Sequence, residues 1–292
     1  MILKDKKILI GVTGSIAIYK TLDLIRLYIK SGAVVRVLMS ESAKKFINPI
    51  TFEAISQNKV LDENSENWDK NSDYNHIDIA KWADILVIAP ASANTINKIS
   101  CGIADNLLLQ TVLACKKKII IAPAANTNMI ENLITIQSIN NLKNLGFEVL
   151  QTQTKELVCK DVGNGAMLEP IDIFHKTCKE LLKTLYWKNR RAVLSGGGTL
   201  EKIDDVRYIS NFSSGKMASS LATALYYLGA NVTLVSSRGF ENIPYEIDLR
   251  VSHSSQEMFE NLKLALDKKL DKKSFLFMVA AVSDYVPTFP QE

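Results

Sequence analysis

The sequence predicts an α/β protein built on two doubly wound parallel sheets. Three observations carry this reading. Several short runs are apolar at every position and end in turns of small and polar residues, as central strands buried on both faces do. Helical stripes of apolar residues alternate with those runs. The order strand, glycine turn, helix, strand opens the chain and returns from residue 192. A length of 292 residues also suits two domains at about 150 residues each.

The elements follow in order. Residues 7–12 form a short apolar run that Gly11-Val-Thr-Gly-Ser15 breaks. Next, Ile18, Leu22, Ile25 and Ile29 make one helical stripe, with Lys20, Asp23, Arg26 and Lys30 opposite. Gly32 stands where a C-cap glycine belongs. Residues 34–39 are the second strand. Residues 84–89 and 118–122 are two more, running into Pro90-Ala-Ser-Ala-Asn94 and Pro123-Ala-Ala-Asn126. Residues 148–151 supply a further strand, and a helix is expected from Ile171. The basic stretch 183–191 follows, and the boundary is placed there, giving domains 1–188 and 189–292. In the second half, residues 192–195 form a strand and Gly196-Gly-Gly-Thr199 a turn. The expected helix 216–228 buries Ala218, Leu221, Ala222, Leu225 and Leu228, and Gly229 ends it. Strands at 232–235 and 275–281 bring this unit to about three, so it reads as unfinished.

Composition excludes several classes. Hydrophobic residues make up 47% and charged residues 23%, which rules out a disordered chain. Thirty-five basic and 31 acidic residues leave a dispersed +4, too weak for a nucleic-acid footprint. No run of about 18 apolar residues is present for a membrane span. The N-terminus lacks the longer apolar core of a signal peptide. Cys101, Cys115, Cys159 and Cys178 lie far apart without CxxC spacing. That argues against a disulfide framework or zinc site and for a cytoplasmic setting.

Ligands of open α/β sheets bind beyond the carboxyl ends of the strands. In the first half those ends carry Gly11–Ser15, 40–42, 90–94 and 123–126. Gly14 and Ser15 open a helix, where free N–H groups favour a phosphate; the same turn also serves as a plain strand-to-helix connection. Gly-x-x-Gly is not Gly-x-Gly-x-x-Gly, so the dinucleotide fingerprint is absent and a mononucleotide fits better than NAD. Asn126 sets an amide at the sheet's functional edge, or makes an Asx-turn. His76 is a catalyst or a capping residue. Cys159 lies in a glycine-bearing stretch beside Lys160, a cation that favours thiolate; an inert thiol is the alternative. In the second half, Gly196–Thr199 and Ser213-Ser-Gly-Lys216 each offer a phosphate site, although the latter is not a Walker A motif. Arg207, Asn211 and Asp284 are polar groups beside strands.

Taken together, these residues resemble a known family. The markers are Gly11-Val-Thr-Gly-Ser-Ile-Ala17, His76-Ile-Asp-Ile-Ala-Lys-Trp-Ala-Asp84, Ala89-Pro-Ala-Ser-Ala93, Pro123-Ala-Ala-Asn126 with Met129, and Cys159-Lys-Asp-Val-Gly-Asn-Gly165. The second half adds Asp205-Val-Arg-Tyr-Ile-Ser-Asn-Phe-Ser-Ser-Gly-Lys-Met217 and Ala280-Ala-Val-Ser-Asp-Tyr285. Along essentially its whole length the chain resembles the bifunctional phosphopantothenoylcysteine decarboxylase / phosphopantothenate–cysteine ligase family of bacterial coenzyme A biosynthesis. Peptidyl-cysteine decarboxylases and flavin prenyltransferases lack the string at 206–216. A non-catalytic flavin-binding regulatory subunit is opposed by His76, Asn126 and Cys159 occurring together.

The resemblance implies two Rossmann-like units, the first a flavin-containing cysteine decarboxylase fold and the second a truncated ligase fold. It implies a lyase in the first half, assembled from trimers, with FMN held by Gly14, Ser15 and Ile16 and with Ser40, Ser92 and Asn94 nearby. FMN oxidises the cysteine end of 4′-phosphopantothenoylcysteine, carbon dioxide leaves, and reduced flavin returns hydride. Cys159 matches the proton donor, His76 the active-site histidine and Asn126 the carboxylate-binding asparagine. The second half is similar to the ligase that activates 4′-phosphopantothenate with CTP before cysteine attacks, with Mg²⁺ screening the triphosphate. Asn211 and Arg207 match residues that handle the activated intermediate. Asp284 and the segment Met278, Val279, Ala280 match CTP contacts, and Ser214, Gly215 and Lys216 join that set; no Mg²⁺ ligands are assigned. The chain departs from the family pattern at Ala125, where methionine is usual, at Lys160 and Ala166, and at Gly197-Gly-Thr-Leu-Glu201. Because the family continues past the Asp-Tyr motif, this polypeptide is expected not to complete ligation.

Overall fold

A computed structural model describes residues 1–67, 75–156, 162–267 and 273–288. It divides the chain into two units, 1–177 and 178–292. The first unit runs β1 (Lys7–Val12), α1 (Ile18–Lys30), β2 (Val34–Met39), α2 (Glu41–Lys44) and α3 (Pro49–Ser56). It continues with α4 (His76–Trp82), β3 (Ile85–Ala91), α5 (Ala93–Ser100), α6 (Leu107–Ala114), β4 (Lys118–Pro123), α7 (Thr127–Ile130), α8 (Leu133–Asn144) and β5 (Glu148–Val149). A hairpin of β6 (Gln153–Glu156) and β7 (Val162–Ala166) precedes α9 (Pro170–Leu182), within which the division falls. The second unit holds β8 (Arg191–Gly196), β9 (Leu200–Lys202), β10 (Tyr208–Ser210), α10 (Lys216–Tyr227), β11 (Asn231–Ser236), β12 (Asp248–Val251), α11 (Ser255–Leu266) and β13 (Phe275–Met278).

The first sheet has the order β2-β1-β3-β4-β5, with every pairing parallel. All seven residues of β3 are buried, which explains why that strand is apolar at every position. Leu9, Leu86, Ile88 and Ile121 pack with Leu107, Leu108 and Val112 of α6 in one core. At about 1.5–3 kcal/mol per fully buried aliphatic side chain, this packing holds the strand ends in place. The buried face of α1 is Ile18, Thr21, Leu24, Ile25 and Tyr28. It therefore differs from the stripe read in the sequence, for Ile29 is exposed. Two polar groups turn the helix. Thr21 Oγ1 donates to Ala89 O at 2.9 Å, and the Tyr28 hydroxyl lies 2.7 Å from Thr177 Oγ1. Gly32 adopts φ +94°, the left-handed cap position.

The second sheet has the order β12-β11-β8-β13, again all parallel. It has four strands rather than three, and an antiparallel β9–β10 pair accompanies it. The last strand stops at Met278 instead of Ala281. Beyond it the N–H groups of Val279 and Ala280 donate to the side-chain Oγ of Ser195 in β8 at 3.0 and 3.1 Å rather than to a backbone carbonyl of that strand. On α10, Tyr226 and Tyr227 are buried where Leu221 and Leu228 were expected.

Candidate functional site

In the first sheet the chain leaves β1 toward β2 on one side and later enters β3 on the other. Strand order therefore reverses between β1 and β3, and an open α/β sheet binds its ligand in the crevice at that point. Turn 13–17 fills one side of the crevice. Thr13 Oγ1 donates to Pro90 O at 2.7 Å and accepts from Ser92 N–H at 2.9 Å, tying the turn to the end of β3. Ser15 Oγ accepts from Ala17 N–H at 3.3 Å, and its carbonyl takes the first N–H of α1. Among the described residues, the N–H groups of Gly14, Ser15 and Ile16 meet no protein acceptor. Three open donors at the start of a 13-residue helix fit the phosphate of a flavin mononucleotide.

Glycine is required at position 14 by space. A Cβ there would lie 2.7 Å from Ser42 Cβ and 2.8 Å from Ser42 Oγ. Ser42 is in turn 3.0 Å from Ser40 through their hydroxyls, so the end of β2 joins the same cluster. Ser92 caps α5 by accepting from Thr95 N–H, and Asn94 stands exposed in the first turn of that helix. Gly14, Ser15, Ile16, Ser40, Ser92 and Asn94 thus share one edge.

Asn126 follows β4 and caps α7, its side chain accepting from Asn128 N–H at 2.9 Å. The Asx-turn is therefore made. Ala124 N–H donates to Ala91 O, which sets the end of β4 beside that of β3. The β7 strand lies against this loop: a Cβ at Gly165 would sit 2.1 Å from Ala125 O. His76 is the first residue of α4, its Nδ1 3.0 Å from Glu66 Oε1. Cys159 and Lys160 lie outside the described residues.

In the second sheet strand order reverses between β8 and β13. Ala281 N–H donates to Gly197 O at 2.8 Å, and Asn211 Nδ2 donates to Val282 O at 3.0 Å. Gly197, at φ +79°, and Gly215, at φ +70°, approach closely, since a Cβ on Gly215 would be 3.3 Å from Gly197 N. The structure therefore gathers Asn211, Ser214, Gly215 and Lys216 with the 278–284 segment. Asp284 and Met278 are exposed there. Ser210, Asn211, Phe212, Ser213 and Ser214 line an open cavity of about 520 Å³ with Tyr208 and Arg238. Arg207 is set apart on the turn joining β9 to β10, its Nε 2.7 Å from Asp204 Oδ2. That hydrogen-bonded guanidinium, with the N–H groups of Val206 and Arg207, holds the Asp204 carboxyl below the usual carboxylate range. Arg238 was not singled out from sequence, although its place just past β11 is a strand-end position of the kind that finds ligands. Among the described residues no three His, Cys, Asp or Glu side chains converge as a metal site. None of the described helices is long and apolar enough to cross a membrane.

Comparison with known proteins places this geometry. The Flavoprotein family model matches residues 2–182, and the DNA/pantothenate metabolism flavoprotein C-terminal domain model matches 187–292. The coenzyme A biosynthesis bifunctional protein CoaBC of Vibrio parahaemolyticus is 39% identical over 285 residues, covering 98% of this chain and 70% of its own length. The chain belongs to the CoaBC family. The Escherichia coli CoaBC protein is 34% identical over 289 residues, covering 98% of this chain and 69% of its own length. Among solved structures, a PPC decarboxylase mutant complexed with pantothenoylaminoethenethiol matches at 32% identity and TM-score 0.55, over 60% of this chain and 97% of that one. The FMN binding protein AtHal3 matches at 33% identity and TM-score 0.53, over 60% and 95%. The α/β fold with parallel sheets expected from the sequence is, over the share these structures cover, the fold of the flavin-dependent PPC decarboxylases.

Proposed function

We propose that the first unit, using FMN, decarboxylates 4′-phosphopantothenoylcysteine to 4′-phosphopantetheine. The second unit would hold CTP, Mg²⁺ and 4′-phosphopantothenate for the activation step that precedes ligation to cysteine. The observation that carries the first assignment is the 13–17 turn, with three open N–H donors at the point where strand order reverses. Bound flavin supplies a two-electron oxidation of the substrate's cysteine end and its later reversal.

The chain's own residues do the rest. The N–H groups of Gly14, Ser15 and Ile16 take the flavin phosphate at the positive end of α1. The Ser40 and Ser92 hydroxyls and the Asn94 amide border the same edge and orient the nucleotide. Asn126 offers its amide to the substrate carboxylate and aims the bond that breaks. His76 moves a proton at the ring, and Cys159, by its place in the motif, returns one to the product. Leu113, Leu133 and Ile134 are exposed at 59%, 74% and 66%, which supports association with other copies of the chain in a homo-oligomer; the trimer as building unit rests on the family resemblance. In the second unit Ser214, Gly215 and Lys216 receive the triphosphate at the start of α10. Met278, Val279, Ala280 and Asp284 contact the nucleotide, while Asn211 steadies the activated carboxyl; Arg207, paired with Asp204 on the β9–β10 turn, is given the same role only by its place in the motif. A Mg²⁺ ion bound chiefly by substrate phosphates needs few protein ligands. These substrates are the reading's partners, and the cytoplasm is its setting.

The test is a visible spectrum of the purified chain before and after addition of FMN. A protein-bound flavin band in the blue, retained through gel filtration, supports the reading; a chain that stays colourless refutes it.

A further inference from the structure

The His76–Glu66 contact is a polar pairing of a proposed catalytic group that the motifs do not announce. It is built from both sides. On the histidine side, Asn75 is buried and caps α4, its Oδ1 accepting from Ile77 N–H at 3.1 Å and Asp78 N–H at 2.9 Å. That fixes the helix at its first residue, His76. On the glutamate side, Leu61 pairs in parallel with Leu38 of β2, carrying Asp62 to the carboxyl-end edge of the sheet. There a single 3-10 turn, Glu63–Ser65, is locked by reciprocal caps. Asp62 Oδ1 accepts from Ser65 N–H at 2.9 Å, and Ser65 Oγ accepts from Asp62 N–H at 2.8 Å. Asp62 is also ion-paired with Lys44 of α2, the helix that begins directly after Ser40. Glu66 leaves this turn with its Oε1 3.0 Å from His76 Nδ1.

We infer that Glu66 is the positioning residue for His76, its carboxylate accepting a hydrogen bond from Nδ1–H and so holding Nε2 as the ring's accepting nitrogen. The inference deepens the decarboxylase reading and rests on it for the role of His76, though not for the state of the ring. A carboxylate is acceptor-only, so the imidazole nitrogen facing it carries the proton and the neutral ring is left as one tautomer. Side-chain exposures of 22% and 23% shelter the pair from the screening that makes surface ion pairs weak. When the ring takes up a proton at Nε2, the negative charge at Nδ1 offsets the new imidazolium, as a buried carboxylate does for other catalytic histidines. The Lys44–Asp62 pair then links this ring to the β2 end of the flavin edge. Sequence reasoning had no signal for Glu66, which lies ten residues upstream in a polar stretch.

The experiment uses the full chain with FMN bound, ¹⁵N-labelled at histidine. In wild type the neutral His76 ring is expected to show a protonated Nδ1 and an unprotonated Nε2. Glu66→Ala should mix the tautomers and lower kcat about ten- to a hundredfold, with KM and flavin content within twofold. Glu66→Gln, whose amide oxygen can still accept, should keep the tautomer and recover part of the kcat. Unchanged ring signals in Glu66→Ala overturn the inference, whatever the activity does. So does a Glu66→Gln protein that folds and binds flavin but is no better than Glu66→Ala. A wild-type chain that binds flavin yet releases no carbon dioxide overturns the decarboxylase reading instead, while the ring signals still decide the pairing.

Discussion

Replacing Gly14 by alanine tests the phosphate turn at the point where geometry is least forgiving. The new Cβ would stand 2.7 Å from Ser42 Cβ, 2.8 Å from Ser42 Oγ and 3.1 Å from the Ser42 carbonyl carbon. Carbon atoms settle at about 3.5–4.0 Å, so turn 13–17 and the β2–α2 junction must part by about 1 Å. Overpacking of this kind costs about 1–3 kcal/mol. The strain falls where three N–H groups must converge on one phosphate. At 1.4 kcal/mol per tenfold, FMN affinity should fall by about five- to a hundredfold. Flavin fluorescence titration reads this directly. Ser42→Gly in the same chain removes the two closest atoms and leaves the 3.1 Å backbone contact, so the double variant should regain most of the affinity. Equal FMN affinity in Gly14→Ala and wild type would refute the reasoning, as would a double variant no better than the single one.

Other outcomes follow from single sites. Gly165→Ala would place a Cβ 2.1 Å from Ala125 O; it should displace the Asn126 loop and lower kcat at least tenfold while FMN affinity holds within a fewfold, and a kcat within twofold of wild type contradicts this. Burial pushes the Cys178 thiol up to about 12, against a smaller opposing effect of the Tyr227 hydrogen bond. Iodoacetamide at pH 8 should therefore modify exposed Cys101 and spare Cys178 until the chain unfolds, as peptide mass mapping would show. The Asp204 carboxyl, lowered by its hydrogen bond from Arg207, should titrate below 3.8 by carbon-13 NMR and return toward that value in Arg207→Ala. As pH falls the Arg207 pair thus outlasts ordinary carboxylates, and an ordinary midpoint in wild type would contradict it.

Much of the fold was legible because burial writes itself into composition. β1 and β2 fall on the ranges read from sequence, since a covered strand is apolar along most of its length, with Lys7 and Arg36 as the exceptions. Where polar atoms decided the packing, the reading slipped. The face of α1 turned because Thr21 and Tyr28 carry hydroxyls with buried partners, and no periodicity rule anticipates those. β12 was missed because Asp248-Leu-Arg-Val251 is a short edge strand of mixed polarity. The hairpin β9–β10 was missed for the same reason, its residues being largely exposed. At the first site, strand ends and glycines pointed to turn 13–17 and to Asn126. The crowding by Ser42 and the support of His76 by Glu66 arise from chain segments far apart in sequence. Only the fold brings them together.

The most direct measurement is carbon dioxide release from 4′-phosphopantothenoylcysteine by the flavin-loaded chain, with the product identified by mass. One carbon dioxide and one 4′-phosphopantetheine per substrate consumed, both abolished in Asn126→Ala, is the predicted result. A chain that holds flavin and leaves the substrate intact would contradict the account.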